Sequence, residues 1–214
     1  MEDAAVKHHK IKVIGIGPGN PDYMLPMARQ VIREVKALTG GRRALSQYAA
    51  SDQHTFAITR DIPGVMAFIR EELRLHDVGV LVSGDPGYYS LLDALKKEFP
   101  EEYLQVIPGI SSVQLAFARL ALPWHDADLI SLHGREPKEE ELFYAKGRML
   151  GMLTDGVYNS RSIAELLMEN GWPTETRLSI CLRLSYPDEE IINTTLQGAR
   201  EIEEYSHGVL IVQG

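Results

Sequence analysis

Cysteine is almost absent from this chain: one residue, Cys181, in 214. A single thiol excludes an internal disulfide framework and any metal site built from a cysteine cluster. Its neighbours Ile180 and Leu182 place it as a small residue within a strand, not as an activated nucleophile. Positive charge is also in deficit. With 22 Lys and Arg against 30 Asp and Glu, the net charge of -8 argues against general nucleic-acid affinity. A few local arginines could still hold an anionic small molecule. No apolar run approaches the ~18 residues that a membrane helix needs, and no signal-peptide pattern opens the sequence. The expectation is a cytoplasmic protein with neither nucleic acid nor membrane as partner.

What is present reads as an ordinary globular composition, 44% hydrophobic and 24% charged, with enough length to bury a core. Residues 1–10 are polar and without periodicity, the pattern of a flexible tail. His8 and His9 are adjacent there with no further ligand type close by, which is poor support for a metal. From Ile11 the pattern changes. Ile11-Lys12-Val13-Ile14-Gly15-Ile16 reads as a strand and breaks into Gly17-Pro18-Gly19-Asn20-Pro21. Val78 to Val82 is a β-branched strand buried on both faces, broken by Ser83-Gly84-Asp85-Pro86-Gly87 and followed by a helix through Leu91, Leu92 and Leu95. Leu104 to Ile107 is a third strand, ending in Pro108-Gly109-Ile110-Ser111-Ser112, where either serine can cap the next helix.

Three strands that each stop at a glycine turn and pass into a helix can lie side by side on one edge of a parallel sheet, where a small ligand would sit. The first turn is not a dinucleotide fingerprint. Asn20 stands at the third glycine position, and Pro18 removes a backbone N–H that a pyrophosphate would use. A helix spans Met24 to Lys36, and Gly40-Gly41-Arg42-Arg43 reads as a turn with two cations. Another helix runs from Val65 to Leu75. After a linker at Leu122-Pro123-Trp124, strands are expected at 127–132, 149–153, 178–182, 190–195 and 209–212. Helices are expected at 139–146 and from Ser160 through Met168, with the last strands antiparallel. The fold class is α/β: two α/β subdomains, 11–122 and 126–214.

The three glycine turns, in this order and spacing, resemble the tetrapyrrole (corrin and porphyrin) methylases. So do Leu153-Thr154-Asp155-Gly156 before a helix, and Leu184-Ser185-Tyr186-Pro187-Asp188-Glu189-Glu190 followed by Thr195-Leu196. The resemblance covers about residues 11 to 213. Ser131-Leu132-His133-Gly134-Arg135 and the Leu153 segment look most like the branch that methylates C5 of cobalt-precorrin-7 in cobalamin biosynthesis. Two positions depart from the family pattern. Pro26 stands where a helix-starting Thr is usual, and Arg42-Arg43 where an apolar strand and a glycine are usual.

The resemblance implies S-adenosyl-L-methionine in a cleft between the two subdomains, a homodimer, and an anionic tetrapyrrole substrate. It implies no protein-bound metal, any cobalt being carried by the substrate. It also implies a separate partner for methylation at C15 with decarboxylation. Carried over by position, the cofactor contacts are Pro18, Gly84, Asp85, Tyr88, Ser111, Ser112, Leu153 and Leu184. Methyl transfer from a sulfonium needs alignment more than covalent help, so no triad is expected. His133 is the candidate base, and Arg135, Arg42 and Arg43, with Arg60 and Arg119, are candidate clamps for substrate carboxylates. Two alternatives stand beside this reading. One is the same chemistry on another ring position, on uroporphyrinogen III or on diphthine; the other is a cofactor-binding subunit without turnover of its own.

Overall fold

The computed structural model describes residues 9–214, in two compact units that meet in sequence at Ser111 and Ser112. Most of the expected tail, 1–8, lies outside the described residues. His9 and Lys10 are placed: the Lys10 N–H donates to Asp77 Oδ1 at 2.9 Å, and His9 Nδ1 lies 3.6 Å from the same carboxylate.

The first unit comprises β1 (Ile11–Gly15), α1 (Pro26–Glu34), β2 (Ala37–Gly40), α2 (Arg42–Tyr48), β3 (His54–Ala57), α3 (Ile62–Glu72), β4 (Val78–Val82), α4 (Leu92–Glu98) and β5 (Leu104–Ile107). Its sheet is parallel throughout, in the order β3-β2-β4-β1-β5. Parallel strands need helical crossovers and are therefore covered on both faces, which is why β1 and β4 read as near-continuous apolar runs. Side chains alternate across the sheet. Ile11, Val13, Val78 and Val80 pack with Val65, Met66 and Ile69 of α3 and with Leu95 of α4. Ile14, Leu38 and Leu81 pack on the other face with Ala28, Val31 and Ile32 of α1 and Ala44 of α2. Truncating a fully buried Ile14 or Ile69 to alanine would cost ~2–5 kcal/mol.

This arrangement decides where a ligand can go. β1 and β4 are neighbours, yet the helices that follow them, α1 and α4, cover opposite faces. A crevice opens outside the carboxyl ends of two such strands, the place where open α/β sheets bind ligands.

The second unit comprises α5 (Ser112–Arg119), β6 (Ala127–Ser131), α6 (Glu139–Leu142), β7 (Met149–Leu153), α7 (Ser160–Glu169), β8 (Arg177–Leu182), β9 (Glu190–Thr195), α8 (Leu196–Ala199) and β10 (Val209–Gln213). Its sheet, β6-β7-β10-β8-β9, is parallel only between β6 and β7 and antiparallel elsewhere. Gly151 leaves a bare patch on β7. A Cβ there would stand 2.9 Å from the Phe117 ring, so the glycine lets α5 close on this sheet. Ile163, Ala164 and Leu167 of α7 join a core with Leu150, Met152, Leu178, Ile180, Leu210 and Val212. Asn159 and Ser162 cap α7 reciprocally, the Ser162 N–H donating to Asn159 Oδ1 at 3.0 Å and the Asn159 N–H to Ser162 Oγ at 2.9 Å. Among the described residues no helix is long and apolar enough to cross a membrane.

Several expectations are corrected. Gly40 to Arg43 is not a turn: Gly40 closes β2, a fully buried strand that the sequence reading missed, and Arg42 opens α2. The apolar strand and glycine that looked displaced at Arg42-Arg43 therefore lie just upstream. Pro26 sits in the first turn of α1, where its fixed φ suits a helix start. The helix expected over 139–146 stops at Leu142, and α5 belongs with the second sheet rather than with residues 11–111.

Candidate functional site

In the first unit the three glycine turns meet as backbone on backbone at the carboxyl ends of β1, β4 and β5. A Cβ on Gly109 would fall 2.2 Å from the Gly84 carbonyl oxygen and 2.9 Å from Gly15 Cα, and one on Gly15 only 2.6 Å from Gly109 N. Hydrogen is the only side chain that fits. Gly17 and Gly84 exchange two backbone hydrogen bonds, at 3.3 and 2.8 Å, with φ of 77° and 71°, left-handed values that favour glycine. Asp85 then ties two turns together. Its Oδ1 accepts the Gly87 N–H at 2.7 Å and its Oδ2 the Gly109 N–H at 2.9 Å.

Around this floor stand five of the expected cofactor residues: Pro18, Gly84, Asp85, Tyr88 and Ser111. Ser111 is buried, and its Cα would lie 3.4 Å from a Cβ on Gly84. Tyr88 is half-buried with its ring 4.8 Å from that of Tyr89; burial, then the neighbouring Tyr89, raises its phenol above the ordinary value. Next to the turns is a small pocket of about 120 Å³, lined by Ile16, Gly17, Gly19, Arg43, Tyr48 and Ser83 among others. Arg43 thus reaches the carboxyl edge from the first turn of α2, while Arg42 is not among the pocket's lining residues; both side chains are exposed.

The second unit gathers its own expected residues on one sheet edge. Leu153 pairs with Val209 and Val209 with Cys181, so β7 and β8 end together. Leu184 follows two residues beyond β8, buried, between Arg183 and Ser185 at φ of 47° and 75°. Glu189 holds that strained loop: its Oε2 accepts the Ser185 N–H at 2.7 Å while Arg119 Nε donates to Oε1 at 2.5 Å. Arg119, then the Ser185 N–H, keeps the Glu189 carboxyl below the usual range despite partial burial. His133 and Arg135 are exposed at the end of β6. His133 Nδ1 lies 3.4 Å from the Thr154 carbonyl oxygen, and its ring is 6.0 Å from that of His207. Asp155 joins the loops after β6 and β7, accepting N–H groups of Gly134 at 2.7 Å and of Val157 and Tyr158 at 2.8 Å. These bonds, Gly134 foremost, hold its carboxyl below the ordinary value. Ser112 opens α5.

Comparison with known proteins decides the class. The model of the tetrapyrrole (corrin/porphyrin) methylases matches residues 10–199. The chain belongs to this methyltransferase family. A probable cobalt-precorrin-7 C(5)-methyltransferase of Methanocaldococcus jannaschii is 28% identical over 206 residues, 94% of this chain and 95% of that protein. A cobalt-precorrin-7 C(5)-methyltransferase of Salmonella typhimurium is 35% identical over 161 residues, 75% and 79% of the two chains. The crystal structure of a precorrin-6Y methylase from Archaeoglobus fulgidus superposes with a TM-score of 0.73 at 26% identity, covering 96% of this chain and 97% of that one.

For this family member the structure refines several roles. Asp85 has both carboxylate oxygens engaged by backbone N–H groups, so it organises the turns whatever else it touches. Arg119, a candidate substrate clamp in the sequence, is paired with Glu189 of its own chain. Asp155 and Glu189 were not given roles from sequence. The Asp-Gly-x-Tyr spacing was a usable signal, since an aspartate often accepts N–H groups two and three residues on. The Gly134 partner, 21 residues away, left no such trace.

Proposed function

We propose that this chain transfers a methyl group from S-adenosyl-L-methionine to C5 of cobalt-precorrin-7 in cobalamin biosynthesis. The observation that carries the reading is that the three glycine turns on which the family resemblance rests form one backbone floor at the switch point of the parallel sheet. Relatives of that printed activity match 94% and 75% of the chain. When bound, S-adenosyl-methionine supplies an electrophilic methyl carbon on a sulfonium.

The residues present fit such a group. Gly17 and Gly84 offer backbone without a Cβ, Ser111 a hydroxyl, and Pro18 and Tyr88 apolar surface. Orientation by such a preformed surface lowers the barrier by several kcal/mol when reacting atoms are held in line. Ser112, Leu153 and Leu184 are proposed as further contacts on the family resemblance. In this reading His133 takes a proton from the substrate, while Arg43, with Arg42 and Arg135, meets its carboxylates. The enzyme works in the cytoplasm as a homodimer, and C15 methylation with decarboxylation falls to a separate partner.

The test is calorimetric titration with S-adenosyl-homocysteine, with NADH as control, followed by methyl transfer to cobalt-precorrin-7 and to other tetrapyrroles. Saturable binding of the first, none of the second, and turnover only with cobalt-precorrin-7 is expected. Asp85→Ala and Ser111→Ala should each weaken binding, by roughly 10-fold or more for a lost polar contact. Undiminished affinity in both variants would place the cofactor elsewhere.

A further inference from the structure

At the opposite, amino end of the first unit's sheet, three side chains with metal-ligating atoms converge. His54 is the first residue of β3, Glu72 the last of α3, and His76 lies one helical turn further, two residues before β4. The backbone continues that turn, the His76 N–H donating to the Glu72 carbonyl at 3.1 Å, which sets Glu72 and His76 on one side. β2 lies between β3 and β4 and registers Ala37 with both His54 and Val78, so the three side chains share one sheet edge. His54 Nδ1 is 3.1 Å from Glu72 Oε1, and His76 Nε2 is 3.1 Å from Glu72 Oε2. One candidate ligand atom from each residue lies within 4.8 Å of the others.

An ordinary pair of imidazole–carboxylate hydrogen bonds does not account for this cluster. Glu72 Oε2 is buried and accepts no hydrogen bond, although a ring nitrogen stands 3.1 Å away. Leaving such a buried acceptor unsatisfied is unfavourable. A cation on its lone pair would satisfy it.

We propose that His54, Glu72 and His76 form a site for a divalent transition-metal ion, zinc foremost. Two imidazoles and a carboxylate suit zinc and its neighbours better than magnesium or calcium, which prefer oxygen. Metal–nitrogen bonds of ~2.0–2.1 Å put the ligand atoms of a tetrahedral ion about 3.3 Å apart. His76 Nε2 already has that spacing from Glu72 Oε2, while His54 Nδ1 has it from the other oxygen, Oε1. The His54 side chain is 67% exposed and free to turn the remaining distance, and its open side leaves room for a water as fourth ligand. The ion displaces any proton shared between the ring nitrogens and the carboxylate. It would tie the start of β3, an edge strand, to the α3–β4 connection. β4, which separates the cluster from the Gly84 turn, has five residues, so the glycine floor lies beyond a full strand length, ~17 Å, and the ion takes no part in methyl transfer.

The experiment is equilibrium dialysis of the untagged full chain against zinc after chelator treatment, with thermal unfolding measured in parallel. One equivalent of zinc and a raised Tm are expected. His54→Ala, which removes an exposed ligand without opening the core, should bind at least ~100-fold more weakly and lose the Tm shift. Glu72→Gln should do the same. An H8A/H9A variant, which leaves His54, Glu72 and His76 in place, should retain binding. Zinc bound equally by wild type and His54→Ala, or by neither, would overturn the proposal. These readouts are independent of cofactor binding.

Discussion

Gly109→Ala tests the glycine floor directly. The added methyl would stand 2.2 Å from the Gly84 carbonyl oxygen and 2.9 Å from Gly15 Cα, about an ångström inside ordinary contact with the first. Both obstacles are backbone at the ends of β4 and β1, so no side chain can swing away. Overpacking of this kind costs ~1–3 kcal/mol. Moving the β5 turn also breaks the Gly109 N–H bond to the Asp85 carboxylate, worth ~1.5–3 kcal/mol before discounting for its partial exposure. Before that discount the sum is about 2.5–6 kcal/mol, or a fall in Tm of roughly 5–24 °C for a chain of this size. Gly156→Ala is the matched control, because nothing lies within 4 Å of its Cβ and its φ is not positive. It should stay within about 0.5 kcal/mol of wild type. Urea and thermal unfolding of the three proteins settle the matter. Equal stability of the two variants would refute the backbone contact.

Other predictions follow from groups with shifted titration. Asp155 and Glu189 are held below the ordinary carboxylate range in the fold, so their contribution is complete above the unfolded values of about 3.9 and 4.3. It is lost as pH falls through the lower folded values, and Asp155→Asn should flatten the acid limb of the stability profile below about pH 4. Identical acid limbs in variant and wild type would refute that assignment. Burial first, then the charge of Glu189, pushes the Cys181 thiol up to about 12. The folded protein should therefore resist thiol reagents at pH 8 and yield one reactive thiol only after denaturation. Stoichiometric labelling without denaturant would contradict it.

The strands that organise the first unit were legible because residues buried on both faces must be apolar along their whole length, as in β4. β2 escaped the same logic by brevity. Ala37-Leu38-Thr39-Gly40 is entirely buried, but its four residues hold a threonine and end on a glycine next to Gly41, which looked like punctuation. α2, beginning with two arginines, was hidden for the same reason. The glycine turns were recognised as places of close approach, and the backbone they approach turned out to be one another. Partners distant in sequence could not be read. Asp85 meets Gly109 across 24 residues and Arg119 meets Glu189 across 70, and nothing local distinguishes a carboxylate bound in this way from one facing a ligand. His54, Glu72 and His76 are another such case, since only the parallel register brings the first to the other two.

The clasp that Asp85 makes on the β4 and β5 turns has a consequence for timing. Turns already fastened to each other have no ordering step to complete once a ligand arrives. The expected signature of capture at that edge is an observed rate that rises in proportion to ligand concentration and reaches no plateau.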